Sequence, residues 1–215
     1  MTISTEKLIT QLKWRYATKK FDSSKKISQE NWDKLQEAIV LSPSSYGLQP
    51  WNFLVVQNTE IRKKLTPASW NQPQIEDCSH YVVILAKTSM DETYIGKFIT
   101  SIAETRGIAV DALEGYKQMM IGDLVKGARS QDILGWASKQ CYIAFGNMMT
   151  SAALLGIDAC PLEGINPQKY DEILDIKNSG YATIAACAFG YRSVEDKYQE
   201  AKKVRFPLDE IIQTV

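Results

Sequence analysis

The sequence predicts an α+β fold, with helices and strands grouped in blocks. Two segments with helical spacing open the chain, two strand-like runs follow, a long helical middle comes next, and two further strands lie near the end. Strict βαβ alternation, the mark of a doubly wound parallel sheet, is absent. The 215 residues can bury one full-sized core, and with no repeat, low-complexity stretch or linker the expectation is a single domain over 1–215.

Ser4 can cap a first helix with Leu8, Ile9 and Leu12 on one face, ending near Arg15–Tyr16. After the polar connection "ATKKFDSSKKIS", Ser28 can cap a second helix in which Trp32, Leu35, Ala38 and Ile39 recur at helical spacing until Ser42–Pro43. The strand "WNFLVVQ" over 51–57 precedes a short helix from Thr59 to Leu65, and "HYVVILA" is a strand apolar on both faces. Asp91 opens a helix carrying Tyr94, Phe98 and Ile102, followed by less regular helical sequence over 108–127. The longest periodic segment runs from Asp132 to a stop at Gly156, and its many small and apolar residues predict a central helix with little surface fit for water. "IDAC" is a short strand entering "PLEG"; a helix over 167–175, the strand "YATIAACAFGY" and the tail "KKVRFPLDEIIQTV" complete the chain.

Several function classes are excluded by composition. Lys plus Arg and Asp plus Glu both number 25, so the zero net charge calls for neither nucleic acid nor an anionic membrane. The longest apolar runs fall far short of the roughly 20 residues that cross a bilayer, and the N-terminus lacks a signal-peptide pattern, so a cytoplasmic protein is expected. Cys78, Cys141, Cys160 and Cys187 are widely spaced and accompanied by one histidine, His80, so they read as reduced core residues; no metal site is expected. His80 has no nucleophile motif near it and reads as a histidine bonded to neighbouring backbone. No G-x-G-x-x-G follows a strand, and Gly122 and Gly127, at P-loop spacing, are followed by Ala128–Arg129 instead of Lys–Ser/Thr.

Three polar clusters stand out: "RYATKK" with Arg15, Lys19 and Lys20, the loop "SPSSYGLQPW" over 42–51, and "KKVRFP" with Lys202, Lys203 and Arg205. Arginine and lysine offer charge-assisted donors to phosphate. The loop carries more polar groups than a connection between buried elements needs, which asks for a ligand or a partner.

In order along the chain, "RYATKKFD", "SPSSYGLQPWNFLVV", "DCSHYVVILAKTSMD", "WASKQCYIAFGN", "GIDACPLEG", "SGYAT" and "KVRFP" together resemble the FMN-dependent, oxygen-insensitive nitroreductases, a family that includes dihydropteridine reductase-like members. The resemblance covers most of the chain and is thin over about 92–130. It implies a central, mostly antiparallel mixed sheet flanked by helices, in an interlocked homodimer with FMN at the subunit interface. Arg15, Lys203 and Arg205 would hold the FMN phosphate, with Tyr16 and Ala17 beside them. Lys19 would lie near the pyrimidine edge, together with Asn71 and the aligned Gln74. Pro43, Ser44, Ser45 and Gly47 would reach the flavin from the partner subunit. Pro161, Leu162, Glu163 and Gly164 would line its face, with a backbone N–H of Glu163 or Gly164 directed at N5.

The resemblance also implies an activity: hydride transfer from NADPH or NADH to FMN, then to nitroaromatics, quinones or other small conjugated acceptors by a ping-pong mechanism, with Lys19, Glu163 and Gly164 as the catalytic groups. Negative charge developing near N1 and O2 of the flavin explains a cation such as Lys19, and the cofactor's chemistry explains how one histidine suffices. Gln74 stands where relatives often carry lysine, and Ala17 where a hydroxyl is common, so the reduced anionic flavin should be less favoured here. By the same resemblance the 108–127 segment would cover the substrate channel, with Met119, Met120 and Ile121 where relatives often place aromatic residues, and Met119 and Met120 could form an adaptable wall. The alternative is a flavin-binding or storage protein of the same fold.

Overall fold

The computed structural model describes residues 2–215. Four strands form one sheet in the order β1-β2-β4-β3, with every adjacent pair antiparallel: β1 Trp51–Val56, β2 His80–Lys87, β4 Tyr181–Gly190 and β3 Asp158–Leu162. The parallel component is one bridge, Ala17 to Ala159, which lays the chain after the first helix along the outer edge of β3. An open edge is covered there by the protein's own chain.

Side chains alternate across a strand, so β2 feeds two cores. Val82, Ile84 and Ala86 face one core with Trp32, Leu35 and Ile39 of α2 (Gln29–Val40), Ile95 and Ile99 of α5 (Glu92–Arg106), Met120 of α6 (Glu114–Leu124) and Met148 of α7 (Ile133–Leu154). Tyr81, Val83 and Leu85 face the other, with Leu65 of α3 (Thr59–Leu65), Ile75 of α4 (Gln74–Asp77) and Tyr170 of α8 (Pro167–Ile173). The four cysteines are free and buried in these cores.

The expected caps form. Ser4, Ser28, Asp91 and Asp132 each accept a backbone N–H in the first turn of their helix. Asn58, one residue earlier than Thr59, caps α3. His80 differs from expectation: its Nδ1 bonds the Ser79 hydroxyl at 3.0 Å and its ring stacks on Trp32 at 4.0 Å. Burial holds its imidazole below the ordinary value, as do the charges of Arg62 and Lys26.

Two helices are less buried than their composition predicts. In α1 (Thr5–Trp14) no residue is buried, and Leu8, Ile9 and Leu12 are exposed along its apolar face. In α7 one face is core, whereas Leu134, Tyr142 and Ile143 open to the surface, as does Leu155 just beyond it. Both helices thus leave apolar side chains in contact with water.

Candidate functional site

The "RYATKK" segment is fixed by a residue far away in sequence. Asp196, almost wholly buried, accepts at Oδ2 from the backbone N–H of Lys19 (2.8 Å) and Lys20 (3.0 Å) and from the Tyr16 hydroxyl (2.9 Å), while Oδ1 accepts from Tyr198 N–H (3.0 Å). Burial pushes this carboxyl up, but the hydrogen bonds from Lys20, Tyr198, Lys19 and Tyr16 outweigh it and leave the group below the usual carboxylate range. The Tyr16 hydroxyl is driven well above its ordinary value by burial and by Asp196, so it stays a donor. Beside it, buried Asp158 pairs with Arg192 (2.5 Å to Nη2, 2.9 Å to Nε), and the guanidinium lies over Trp14 and Tyr16 at 4.2 and 4.6 Å.

This scaffold brings two of the sequence clusters together. A cleft of about 370 Å³ is lined by Arg15, Tyr16, Ala17 and Lys19 from one and Lys202, Lys203 and Arg205 from the other, with Lys13 and no acidic residue. The Lys203 ammonium donates to the carbonyl oxygens of Leu12 (2.5 Å) and Arg15, leaving one of its three N–H groups for a ligand. Partial burial holds Lys203 below the ordinary lysine value, and the neighbouring charges of Arg15 and Arg205 add to this. The cluster therefore favours an anion. The Arg15 Nε is buried with no hydrogen-bond partner, and so is Gln74 Oε1; Gln74 Nε2 lies 4.0 Å from the Cys160 sulfur. Buried polar atoms are nearly always satisfied, so an orphaned guanidinium donor beside a basic cleft fits a phosphate-bearing group.

β3 runs through Pro161 and Leu162 toward a second concavity, of about 400 Å³, lined by Pro161, Glu163, Tyr142, Phe145, Gly146 and Met149. Leu162 itself is buried. The Glu163 carboxylate accepts from the Tyr142 hydroxyl, which burial, then this carboxylate, push up to about 12. Gly164 packs against Trp70: a Cβ at this position would stand 2.6 Å from the indole, so any larger residue requires that exposed ring to move. Gln72 Nε2 donates to Gly164 O (3.2 Å), which ties the turn containing Asn71 to the "PLEG" loop.

The loop over 42–51 lines neither concavity. Its polar groups, read from the sequence as surplus, are largely consumed inside the protomer. Ser45 N–H donates to Gln140, Gln49 N–H to the Ser44 hydroxyl, and the Tyr46 hydroxyl to Asp123. The Tyr94 hydroxyl bonds the carbonyls of Leu48 and Gln49. Three residues adopt positive φ, Tyr46 (60°), Gly47 (76°) and Gln49 (48°), so a specific shape is held rather than a simple turn. Pro43 and Gly47 remain on the surface. Of the two methionines expected to wall a channel, Met119 is exposed, but Met120 is fully buried in the larger core and lines no surface; helical geometry turns adjacent residues to different faces.

Sequence reasoning missed Asp196, Asp158, Arg192, Tyr142 and Trp70. Asp196 acts on residues 176 and 177 positions away, and nothing in "SVEDKY" announces it. Trp70 could have been flagged as a tryptophan in a polar turn before Asn71.

These features agree with comparison to known proteins. Residues 12–191 match the model of the nitroreductase family. A Staphylococcus haemolyticus protein provisionally named an NAD(P)H nitroreductase is 39% identical over the whole of both chains, and a Bacillus subtilis protein with the same provisional name is 38% identical over 94% of each. Among solved structures, an Exiguobacterium sibiricum protein in complex with FMN, provisionally named a nitroreductase, superposes with a TM-score of 0.79 at 20% identity, covering 100% of this chain and 99% of its own. A gut-bacterial enone reductase of fatty acid saturation matches with a TM-score of 0.81 at 21% identity, covering all of both chains. The fold is that of the nitroreductases, and the candidate cleft gathers basic residues from the segment after α1 and from the tail. The chain belongs to the nitroreductase family.

Proposed function

We propose that the protein is a homodimeric FMN-dependent oxidoreductase, one domain over 1–215, that uses NADPH or NADH to reduce nitroaromatics, quinones or related conjugated acceptors. The observation that carries this reading is the convergence of Arg15, Lys19, Lys203 and Arg205 on one cleft with an unpartnered Arg15 Nε. Bound FMN would supply hydride transfer from nicotinamide to acceptor. In this reading Arg15, Lys203 and Arg205 hold the phosphate, and Asp196 keeps Lys19 and Tyr16 in place without itself touching the ligand. The Lys19 ammonium stabilises negative charge toward the pyrimidine edge. Pro161, Glu163 and Gly164 form a wall whose position is set by the Tyr142 and Gln72 hydrogen bonds, and Asn71 with Gln74 offers neutral polar contacts. One open face shared by donor and acceptor implies ping-pong kinetics.

The homodimer is supported by apolar surface the protomer leaves open. The face of α1, the outer face of α7, and Val204, Phe206, Leu208, Ile211 and Ile212 of the tail are all exposed. The separation of Pro43–Gly47 from the Arg15 cleft fits a loop that serves the other subunit's site. No helix among the described residues is long and apolar enough to cross a membrane, and the free buried cysteines suit the reducing cytoplasm, where we place the protein.

The test is anaerobic titration of the FMN-reconstituted protein with NADPH, then NADH. Bleaching of the bound-flavin absorbance by either is expected. Bound flavin that stays yellow under both would replace the oxidoreductase with a flavin-storage protein.

A further inference from the structure

We infer that Tyr142 is a positioning residue that fixes the Glu163 carboxylate on the flavin wall, where its charge makes bound FMN harder to reduce; the inference rests on the flavin reading above. Glu163 is the one charged residue lining the concavity beside Pro161. A carboxylate on an otherwise largely apolar wall turns to water unless a donor keeps it in place. Among the described residues no lysine or arginine forms an ion pair with it, and the hydroxyl of Tyr142 donates to it. The core does not call for this tyrosine: on the outer face of α7 its ring is 42% exposed and leans on Phe145, with centroids 6.0 Å apart. What it does is hold Glu163.

The backbone that carries the carboxylate is fixed without the tyrosine. Glu163 O accepts from Ile165 N–H at 2.8 Å, Gly164 O accepts from Gln72 Nε2 at 3.2 Å, and Asn166 N–H donates to Ala68 O at 2.7 Å. With the loop held at these three points, the phenol sets only where the carboxylate lies. A flavin that takes up electrons gains negative charge, which a cation such as Lys19 favours and a fixed anion opposes. Glu163 therefore acts against Lys19, and a carboxylate released into water would do so less, because solvent screens it. FMN that takes up charge less readily is, once reduced, the stronger donor. The pair thus suits the protein to acceptors of low electron affinity.

The test is the midpoint potential of bound FMN in wild type, Glu163→Gln, Tyr142→Phe and the double variant. Glutamine removes the charge but keeps an acceptor for the Tyr142 hydroxyl, whereas phenylalanine keeps the ring and removes the donor. Expected for Glu163→Gln is a rise of about 30 mV, equivalent to tenfold in the equilibrium constant of a two-electron couple. Tyr142→Phe gives a smaller rise, and adding it to Glu163→Gln gives none, because both act through one carboxylate. All variants keep a Tm within about 2 °C of wild type. A potential that ignores either single substitution overturns the inference, and so do shifts that add in the double variant. A fall in Tm of about 10 °C in Tyr142→Phe also overturns it, by making the hydroxyl a structural element. FMN uptake by the wild type is measured first: a protein that takes up none overturns the flavin reading and this inference with it, whereas bound FMN with unmoved potentials overturns the inference alone.

Discussion

Strand β2 and the C-terminal tail are both rich in apolar residues, yet they meet opposite fates. From Tyr81 to Ala86 every β2 residue is buried, paired on one side with β1 and on the other with β4. In the tail every residue from Ala201 to Val215 is exposed, and its contact with the rest of the protomer includes the Lys203 ammonium on the carbonyls of Leu12 and Arg15. The same physics acts on both: apolar area leaves water wherever a partner surface exists. One region finds that surface within its own chain, and the other leaves its apolar side chains in water, which supports the proposed dimer. The basic cleft lies where the two kinds of region join, its floor tied to β3 and its rim made by the tail.

That contrast can be broken at several points. The largest effect is expected at the floor. Asp158→Ala leaves the largely buried Arg192 guanidinium without its carboxylate and should cost about 3 kcal/mol, measured by urea denaturation. Next comes the hinge between floor and rim, where Asp196→Ala strips four donors of their shared acceptor. A loss of about 2 kcal/mol is expected, together with weaker FMN binding because Lys19 and Tyr16 lose their anchor. The pH dependence has a definite sign. Because the folded protein holds Asp196 below the ordinary aspartate value of about 3.9, its stabilisation is complete above that value and is lost as pH falls through the depressed one. Urea midpoints between pH 2 and pH 6 should therefore show an acid limb that is flatter in Asp196→Asn.

The smallest effect on the protomer itself is expected in the tail. Phe206→Ser combined with Ile211→Ser touches only exposed side chains, so intrinsic protomer stability should change by no more than about 0.5 kcal/mol. If the proposed dimer is sealed by the tail, the same pair shifts it to monomer in sedimentation velocity. A variant that remains fully dimeric would place the contact on α1 and α7 instead.

How much of this was legible in the sequence depended on the range of the interactions. Helices with a capping side chain and a periodic face, such as α2 and α5, declare themselves within a dozen residues, and β2 does so by its unbroken apolar run. The strand order β1-β2-β4-β3 is not written locally, nor is the bridge from Ala17 to Ala159. The candidate site divides in the same way. Arg15, Lys203 and Arg205 were nominated from motif resemblance, and the structure adds that they share a cleft. Asp196 escaped because one aspartate in a polar turn resembles any other until the fold brings it to Lys19. Trp70 escaped because its place is set by a left-handed turn and by the bare Cα of a glycine 94 positions on. In the 42–51 loop the backbone of Gln49 and Ser45 and the hydroxyls of Ser44 and Tyr46 also bond groups of this same chain, partners such as Gln140 and Asp123 that lie too far along the sequence to be read locally.

The most direct test of the central claim, that this cleft holds the phosphate of a flavin, is the FMN dissociation constant of Arg205→Ala beside that of Lys202→Ala. Both remove one exposed cation from the same rim, so general electrostatics is matched. The account predicts a loss of at least about tenfold for Arg205→Ala and a change within about twofold for Lys202→Ala. Equal losses in the two variants would contradict it.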